Sequence, residues 1–199
     1  LELQILSGDE EASLSYKGAV GGLEAVQKNS SLPVVVDIGG GSTEICTILE
    51  GDLNAISLEI GAVRGTENPV LLKGLDRILK PIGEVFSKPI PLQLIGVGGT
   101  VTSLAAIDQS LKEYDTRLIH GYFLSLFKVE KLLQRLKGLT LDQRRVLPGL
   151  EPERADIIVA GTEILRSLMI KLKSDELIIS ETDLLDGMLF SMAGVDNWF

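Results

Sequence analysis

Cysteine and histidine are almost missing from this chain: Cys46 and His120 stand alone among 199 residues. A lone cysteine cannot close an intrachain disulfide, and the expectation is a reducing, cytoplasmic setting. A lone histidine leaves no His-based metal cluster and no spare candidate for a Ser–His–Asp triad. Cys46 itself reads as a small buried hydrophobe in preference to a nucleophile, and His120 as a turn residue in preference to a catalyst. Basic residues are in deficit too, with 19 Lys and Arg against 28 Asp and Glu and a formal net charge of −9. A sequence-independent nucleic-acid binder needs a basic footprint, so DNA is not an expected partner. No apolar run reaches the length of a membrane span, and no membrane partner is expected either. Helical-repeat periods and low-complexity segments are lacking. What remains is globular material, 45% hydrophobic and 24% charged, which suits a packed core in one large domain or two small ones.

The most informative segment is Val34-Val35-Val36-Asp37-Ile38-Gly39-Gly40-Gly41-Ser42-Thr43-Glu44. Its β-branched run suits a buried strand. Its glycines let the backbone turn sharply and bring bare N–H groups close to a ligand. N–H and hydroxyl donors for oxygens, with Asp37 and Glu44 for an ion, suit a phosphate beside a divalent metal. The same residues also fit a strand entering a glycine-rich hairpin with Asp37 as an ordinary turn residue, and the motif alone does not separate the two. A second apolar strand at 92–97 runs into Gly98-Gly99-Thr100 and repeats the pattern. Two such loops from one sheet can clamp opposite sides of one phosphate. In so acidic a chain, the charge compensation has to come from metal, backbone dipoles and a few arginines.

Along the rest of the chain, residues 1–6 alternate as a strand and 9–16 read as a short helix with Glu10 and Glu11 in its first turn. Residues 44–49 and 54–59 form a hairpin around Glu50-Gly51-Asp52, 61–66 end that sheet, and 69–82 are helical. A helix follows the second glycine loop as far as residue 111, 129–136 are amphipathic, and Thr140-Leu141-Asp142-Gln143 fits a capping box. Residues 154–172 carry the longest helical pattern, 176–180 a strand and 184–193 a last helix. Strands mixed with helices and one early hairpin indicate an α/β domain with a mixed sheet flanked by helices.

Taken in order, these pieces resemble the exopolyphosphatase / guanosine pentaphosphate phosphohydrolase family, within the actin-like, ribonuclease H-like superfamily. The residues that carry the resemblance are Leu6-Ser7-Gly8-Asp9-Glu10-Glu11-Ala12, the segment from Val36 to Glu44, Gly61-Ala62-Val63-Arg64 and Gly96-Val97-Gly98-Gly99-Thr100. Further on come His120-Gly121, the run from Pro148 through Glu151-Pro152-Glu153-Arg154-Ala155-Asp156 to Ile158, and Ala160-Gly161. Glycine loops alone would leave sugar kinases and chaperone ATPases in play; the acidic first stretch and the Arg-Ala-Asp segment narrow the match. The resemblance implies that residues 1–8 close a first domain and 9–199 form the second of two actin-like domains with a cleft between them. One departure is Leu185-Asp186-Gly187, where the family often has an Arg-Glu-Gly-like tripeptide.

The chemistry that the resemblance implies is release of terminal phosphate from inorganic polyphosphate or pppGpp, with Mg2+ or another divalent cation as cofactor. Glu11 matches the catalytic glutamate, with Glu10 the runner-up by register, and would orient or deprotonate the attacking water. Asp37 and Glu44 would hold the metal directly or through water. Gly39, Gly40, Gly41, Ser42, Thr43, Gly98, Gly99 and Thr100 would donate N–H and hydroxyl groups to phosphate oxygens, and no covalent nucleophile is needed. Arg154 would contact a distal phosphate or guanosine, although a surface pair with Glu151 fits equally; Arg64 shares that ambiguity. The basic run of Lys128, Lys131, Arg135, Lys137, Arg144 and Arg145 reads as a solvated helix face in preference to a polyanion track. Family members tend to pair, so a homodimer is expected. The alternatives from other classes are a polyphosphate- or nucleotide-binding module without turnover, and an actin-like kinase domain.

Overall fold

The β-branched segment at the centre of the sequence forms β1 (Leu32–Ile38), and the rest of the sheet is arranged around it. The computed structural model describes residues 8–23, 31–86 and 91–194; the strand expected at 1–6 lies outside them. β2 (Thr43–Leu49) and β3 (Asp52–Leu58) run antiparallel as the expected hairpin. On the other side of β1 lies β4 (Leu92–Val97), parallel to it, then β6 (Glu176–Ile179), also parallel, then the short antiparallel β5 (Phe123–Ser125). The resulting order is β3-β2-β1-β4-β6-β5, a mixed six-stranded sheet.

Strand alternation divides β1 between two layers. Val34, Val36 and Ile38 face the larger core, built with α6 (Gly99–Asp108), α8 (Leu126–Gly138) and α10 (Ile158–Lys171). Burying each such aliphatic side chain contributes roughly 1.5–3 kcal/mol. Val35 points to the opposite face and joins Cys46, Ile95, Val97 and Ile178 beneath α1 (Gly8–Gly21), which supplies Tyr16, Ala19 and Val20. α11 (Leu184–Met192) packs on the outside of α1. The two helices approach to backbone contact at paired glycines. A Cβ on Gly18 would fall 1.8 Å from the Asp183 carbonyl oxygen, and one on Gly187 would fall 1.9 Å from that of Leu14.

Several boundaries differ from the sequence pattern. Residues 61–66 do not end the sheet as strand; they enter a helix, α2 (Ala62–Glu67), whose first N–H groups find acceptors in the preceding glycine loop. The helical pattern at 69–82 is broken into α3 (Pro69–Lys73), α4 (Leu75–Ile78) and α5 (Lys80–Val85), interrupted at Gly74 and at Leu79 just before Lys80-Pro81. The pattern at 154–172 begins as a 3-10 turn (Pro152–Arg154) before α10. α7 (Thr116–Ile119) and β5 were not expected, being too short for a periodicity signal. The capping box opens α9 (Leu141–Arg145), with Thr140 and Gln143 bonded reciprocally. Among the described residues, no helix is long and apolar enough to cross a membrane.

Candidate functional site

The carboxyl ends of β1, β4 and β6 open on the same edge of the sheet, the side on which ligands sit in open α/β sheets. Asp37 lies at that end of β1, on the face turned to α1. Its direct cross-strand partner is Glu44, and the partner of Glu44 is Ser57. The Ser57 hydroxyl donates to Glu44 Oε1 at 3.0 Å. This polar row floors a cleft of ≈ 600 Å³, lined also by Ser42 and, from α1, by Ala12 and Ser15.

Burial pushes the Asp37 carboxyl up to about 6, with the neighbouring Glu44 and Asp183 carboxylates adding to the effect. Among the described residues no cation pairs with it. Gly98 sits against it: a Cβ there would stand 2.5 Å from Asp37 Oδ1, and its φ of +82° favours glycine as well. Gly98 is also the N-cap of α6, so the N–H groups of that helix's first turn open beside the carboxylate.

The first glycine loop is oriented by its carbonyls. Those of Gly39 and Gly40 accept from Ala62, at 2.9 Å, and from Val63 and Arg64, at 2.9 and 3.0 Å. Gly61 makes this approach possible, since a Cβ there would lie 2.5 Å from the Gly40 carbonyl. The Gly39 N–H closes the turn on the Ser42 carbonyl at 3.0 Å, while those of Gly40, Gly41 and Ser42 have no acceptor among the described residues. Successive bare N–H groups in a glycine turn are the kind of feature that can cradle an anion.

Two expected donors are engaged elsewhere. The Thr43 hydroxyl is fully buried and donates to the Ile60 carbonyl at 2.6 Å. That of Thr100 donates to the Ile38 carbonyl at 3.3 Å, beneath Gly161, where a Cβ would lie 2.7 Å from the threonine methyl. Both hydroxyls tie the loops to the sheet in this structure; of the three expected hydroxyls, Ser42 lines the cleft.

Arg154 makes the expected pair with Glu151 and lies beside the second glycine loop. Its Nε donates to Glu151 Oε2 at 2.7 Å, while its guanidinium lies over Gly99, Nη1 only 1.8 Å from where a Cβ would be. Arg64 flanks the other loop, with Nη2 3.7 Å from the Cβ position of Gly41 and Nη1 3.9 Å from Glu59. Glu11 lies on α1 one turn before the cleft-lining Ser15, and its side chain falls outside the described residues; Glu10 is exposed.

His120 is a structural pin. Its Nε2 bonds the Gly22 carbonyl at 2.7 Å and its Nδ1 accepts from the Glu181 N–H at 3.2 Å, which assigns the Nε2–H tautomer. Cys46 is buried and its thiol is pushed up to about 12, so it is no nucleophile. Much of the basic run has local partners: Lys128 with Asp108, Lys137 with Glu163, Arg145 with Asp142, and Lys131 over the Phe127 ring. Leu185, in place of the family's arginine, is exposed, while Gly187 provides the helix contact.

Ser57 and Asp183 belong to this edge and were not foreseen. Only the register of β2 with β3 places Ser57 on Glu44. Asp183 follows the third parallel strand, where a capping box with Asp186 was the available signal. Among the described residues, no group of three or more His, Cys, Asp or Glu side chains could hold a metal ion. The donor set of Asp37 and Glu44 is nevertheless hard oxygen, and it fits Mg2+, which keeps several waters and takes phosphate oxygens as further ligands.

A sequence profile of the Ppx/GppA phosphatase family matches residues 1–195. Exopolyphosphatase 2 of Mycobacterium tuberculosis is 36% identical over 208 aligned positions, covering 96% of this chain and 64% of that protein. Guanosine-5'-triphosphate,3'-diphosphate pyrophosphatase of Vibrio parahaemolyticus is 29% identical over 204, covering 96% of this chain and 39% of that protein. The solved structure of the Aquifex aeolicus PPX-GPPA enzyme superposes with a TM-score of 0.81 at 28% identity, over 94% of this chain and 64% of that one. The mixed sheet flanked by helices is thus the actin-like fold of these proteins. The chain spans less than two thirds of the length of each relative named here.

Proposed function

Because the chain belongs to the Ppx/GppA phosphatase family, we propose that it takes part in Mg2+-dependent hydrolysis of a phosphoanhydride, releasing terminal phosphate from inorganic polyphosphate or pppGpp. In this reading residues 9–199 supply the wall of the cleft that holds metal and phosphate, and a first domain supplies the facing wall. The observation that carries the reading is the Asp37–Glu44 pair between two glycine loops, with Asp37 buried and no cation paired with it among the described residues.

Asp37 and Glu44 would hold Mg2+, which when bound offsets charge on the phosphate chain. The free N–H groups of Gly40, Gly41 and Ser42 and the first turn of α6 at Gly99 and Thr100 bind the phosphate oxygens. Arg154 supplies guanidinium donors above Gly99. Glu11 orients the attacking water and takes up its proton. These groups act by positioning and charge stabilisation, which is most of what phosphoryl transfer requires. A cytoplasmic setting and pairing into a homodimer belong to the same proposal.

The test is phosphate release from each substrate, assayed with Mg2+ and the first domain present. Glu11→Gln is expected to lower turnover by about 10²–10⁴-fold while ligand binding and the melting temperature hold. Retained turnover would remove Glu11 from the mechanism. Binding without turnover in the parent protein would instead support the binding module.

A further inference from the structure

Pro152–Arg154 fold as one 3-10 turn with Glu151 at its N-cap. In that geometry side chains three apart eclipse, and proline fixes the entry of the backbone. Glu151 and Arg154 therefore stand on one side of the turn, and Ala155, next in the chain, is fully buried and anchors it. The guanidinium is held at two ends. Nε donates to Glu151 Oε2 at 2.7 Å, and the opposite edge lies on Gly99, with Nη1 and Nη2 1.8 and 2.5 Å from the position a Cβ would take.

We propose that Glu151 is a positioning residue: it pins Arg154 by Nε so that the Nη1–Nη2 fork is presented to the oxygens of a phosphate chain at the Gly98-Gly99-Thr100 loop. The inference rests on the reading of the glycine loops as phosphate sites. A guanidinium recognises phosphate best as a two-donor fork, and pinning Nε restricts the side chain without using that fork. Freedom lost before binding is not lost again on binding. Both side chains are partly exposed, so the pair adds little to stability and its consequence is orientation. Charge alone argues the opposite way, since deleting a carboxylate makes the loop more positive and should tighten an anion.

That opposition of sign defines the test. Inorganic tripolyphosphate is titrated calorimetrically into the whole chain with Mg2+, comparing the parent with Glu151→Ala, Glu151→Gln and Arg154→Ala. Arg154→Ala is expected to weaken binding by about tenfold or more, and Glu151→Ala by about three- to tenfold at an unchanged melting temperature. Glu151→Gln, whose amide oxygen still accepts from Nε, should stay within about twofold of the parent or bind tighter. Equal or tighter binding by Glu151→Ala overturns the positioning role while a weak Arg154→Ala keeps the site reading. Glu151→Gln as weak as Glu151→Ala, or Arg154→Ala as strong as the parent, overturns it as well. A parent chain that does not bind tripolyphosphate overturns the reading of the loops and this inference with it.

Discussion

Asp37 and Gly98 meet where β1 and β4 end side by side: a Cβ on Gly98 would stand 2.5 Å from Asp37 Oδ1. Gly98→Ala is therefore expected to act twice. The left-handed φ of +82° costs about 1–2 kcal/mol for a side-chain-bearing residue, or roughly 2–8 °C in melting temperature for a chain of this size. The methyl also displaces the carboxylate, so Mg2+-dependent tripolyphosphate binding should fall by about tenfold or more. Gly121→Ala is the control. Its φ is +78°, but nothing lies within 4 Å of its Cβ position, so it should lose stability and keep binding. Calorimetry and thermal melts on both variants separate the two effects.

The raised Asp37 carboxyl makes a signed prediction for the metal-free protein. Its folded value of about 6 lies above the ordinary 3.8, so the folded state holds this proton more tightly than the unfolded chain. The associated stability is present below pH ~4 and is lost as pH rises through ~6, at most about 3 kcal/mol. With EDTA present, Asp37→Asn should melt higher than the parent at pH 7.5, and the advantage should shrink as the pH falls through 6. Thermal melts across pH 4–8 would contradict this if the advantage grew on acidification. Adding Mg2+ at pH 7.5 should raise the parent's melting temperature and leave that of Asp37→Asn unchanged.

Asp37 and Glu44 were singled out in the sequence because they bracket a glycine loop between a β-branched strand and a returning strand; the β1–β2 register then makes them cross-strand partners. The direction of the Thr43 and Thr100 hydroxyls was not legible, because it depends on the distant Ile60 and Ile38 carbonyls and on the space left by Gly161. Ser57 and Asp183 were missed for a related reason: one needs the β2–β3 register and the other the order of parallel strands. The helix at 62–67 escaped because its N-terminal partners are carbonyls of the glycine loop, not side-chain caps. Local pattern identified the loops; long-range register decided which of their atoms face a ligand.

Ser57 offers a test of that register. Removing the hydroxyl that donates to Glu44 Oε1 at 3.0 Å leaves the carboxylate free to turn. Ser57→Ala should raise the Mg2+ concentration for half-maximal tripolyphosphate binding by about tenfold, in the range expected for a group that orients a metal ligand. An unchanged Mg2+ requirement would show that Glu44 needs no such support.

The α1–α11 contact should be intolerant of any added atom. Gly187→Ala places a methyl 1.9 Å from the Leu14 carbonyl oxygen, and the backbone must separate to admit it. The expected cost is about 2–4 kcal/mol, or roughly 4–16 °C in melting temperature. Because α1 roofs the cleft through Ala12 and Ser15, binding should weaken as well. An Ala variant that melts like the parent would mean that the helices do not cross at this point.

In the proposed function Asp37 and Glu44 join a metal and a phosphate chain at one edge of the sheet. This role is tested most directly by titrating tripolyphosphate into the chain with and without Mg2+, for the parent and for the double variant Asp37→Asn/Glu44→Gln. The parent is expected to bind only with Mg2+, and the double variant, folded to the same extent, to lose that binding by about a hundredfold or more. Equal binding by the double variant, or parent binding indifferent to Mg2+, would contradict it.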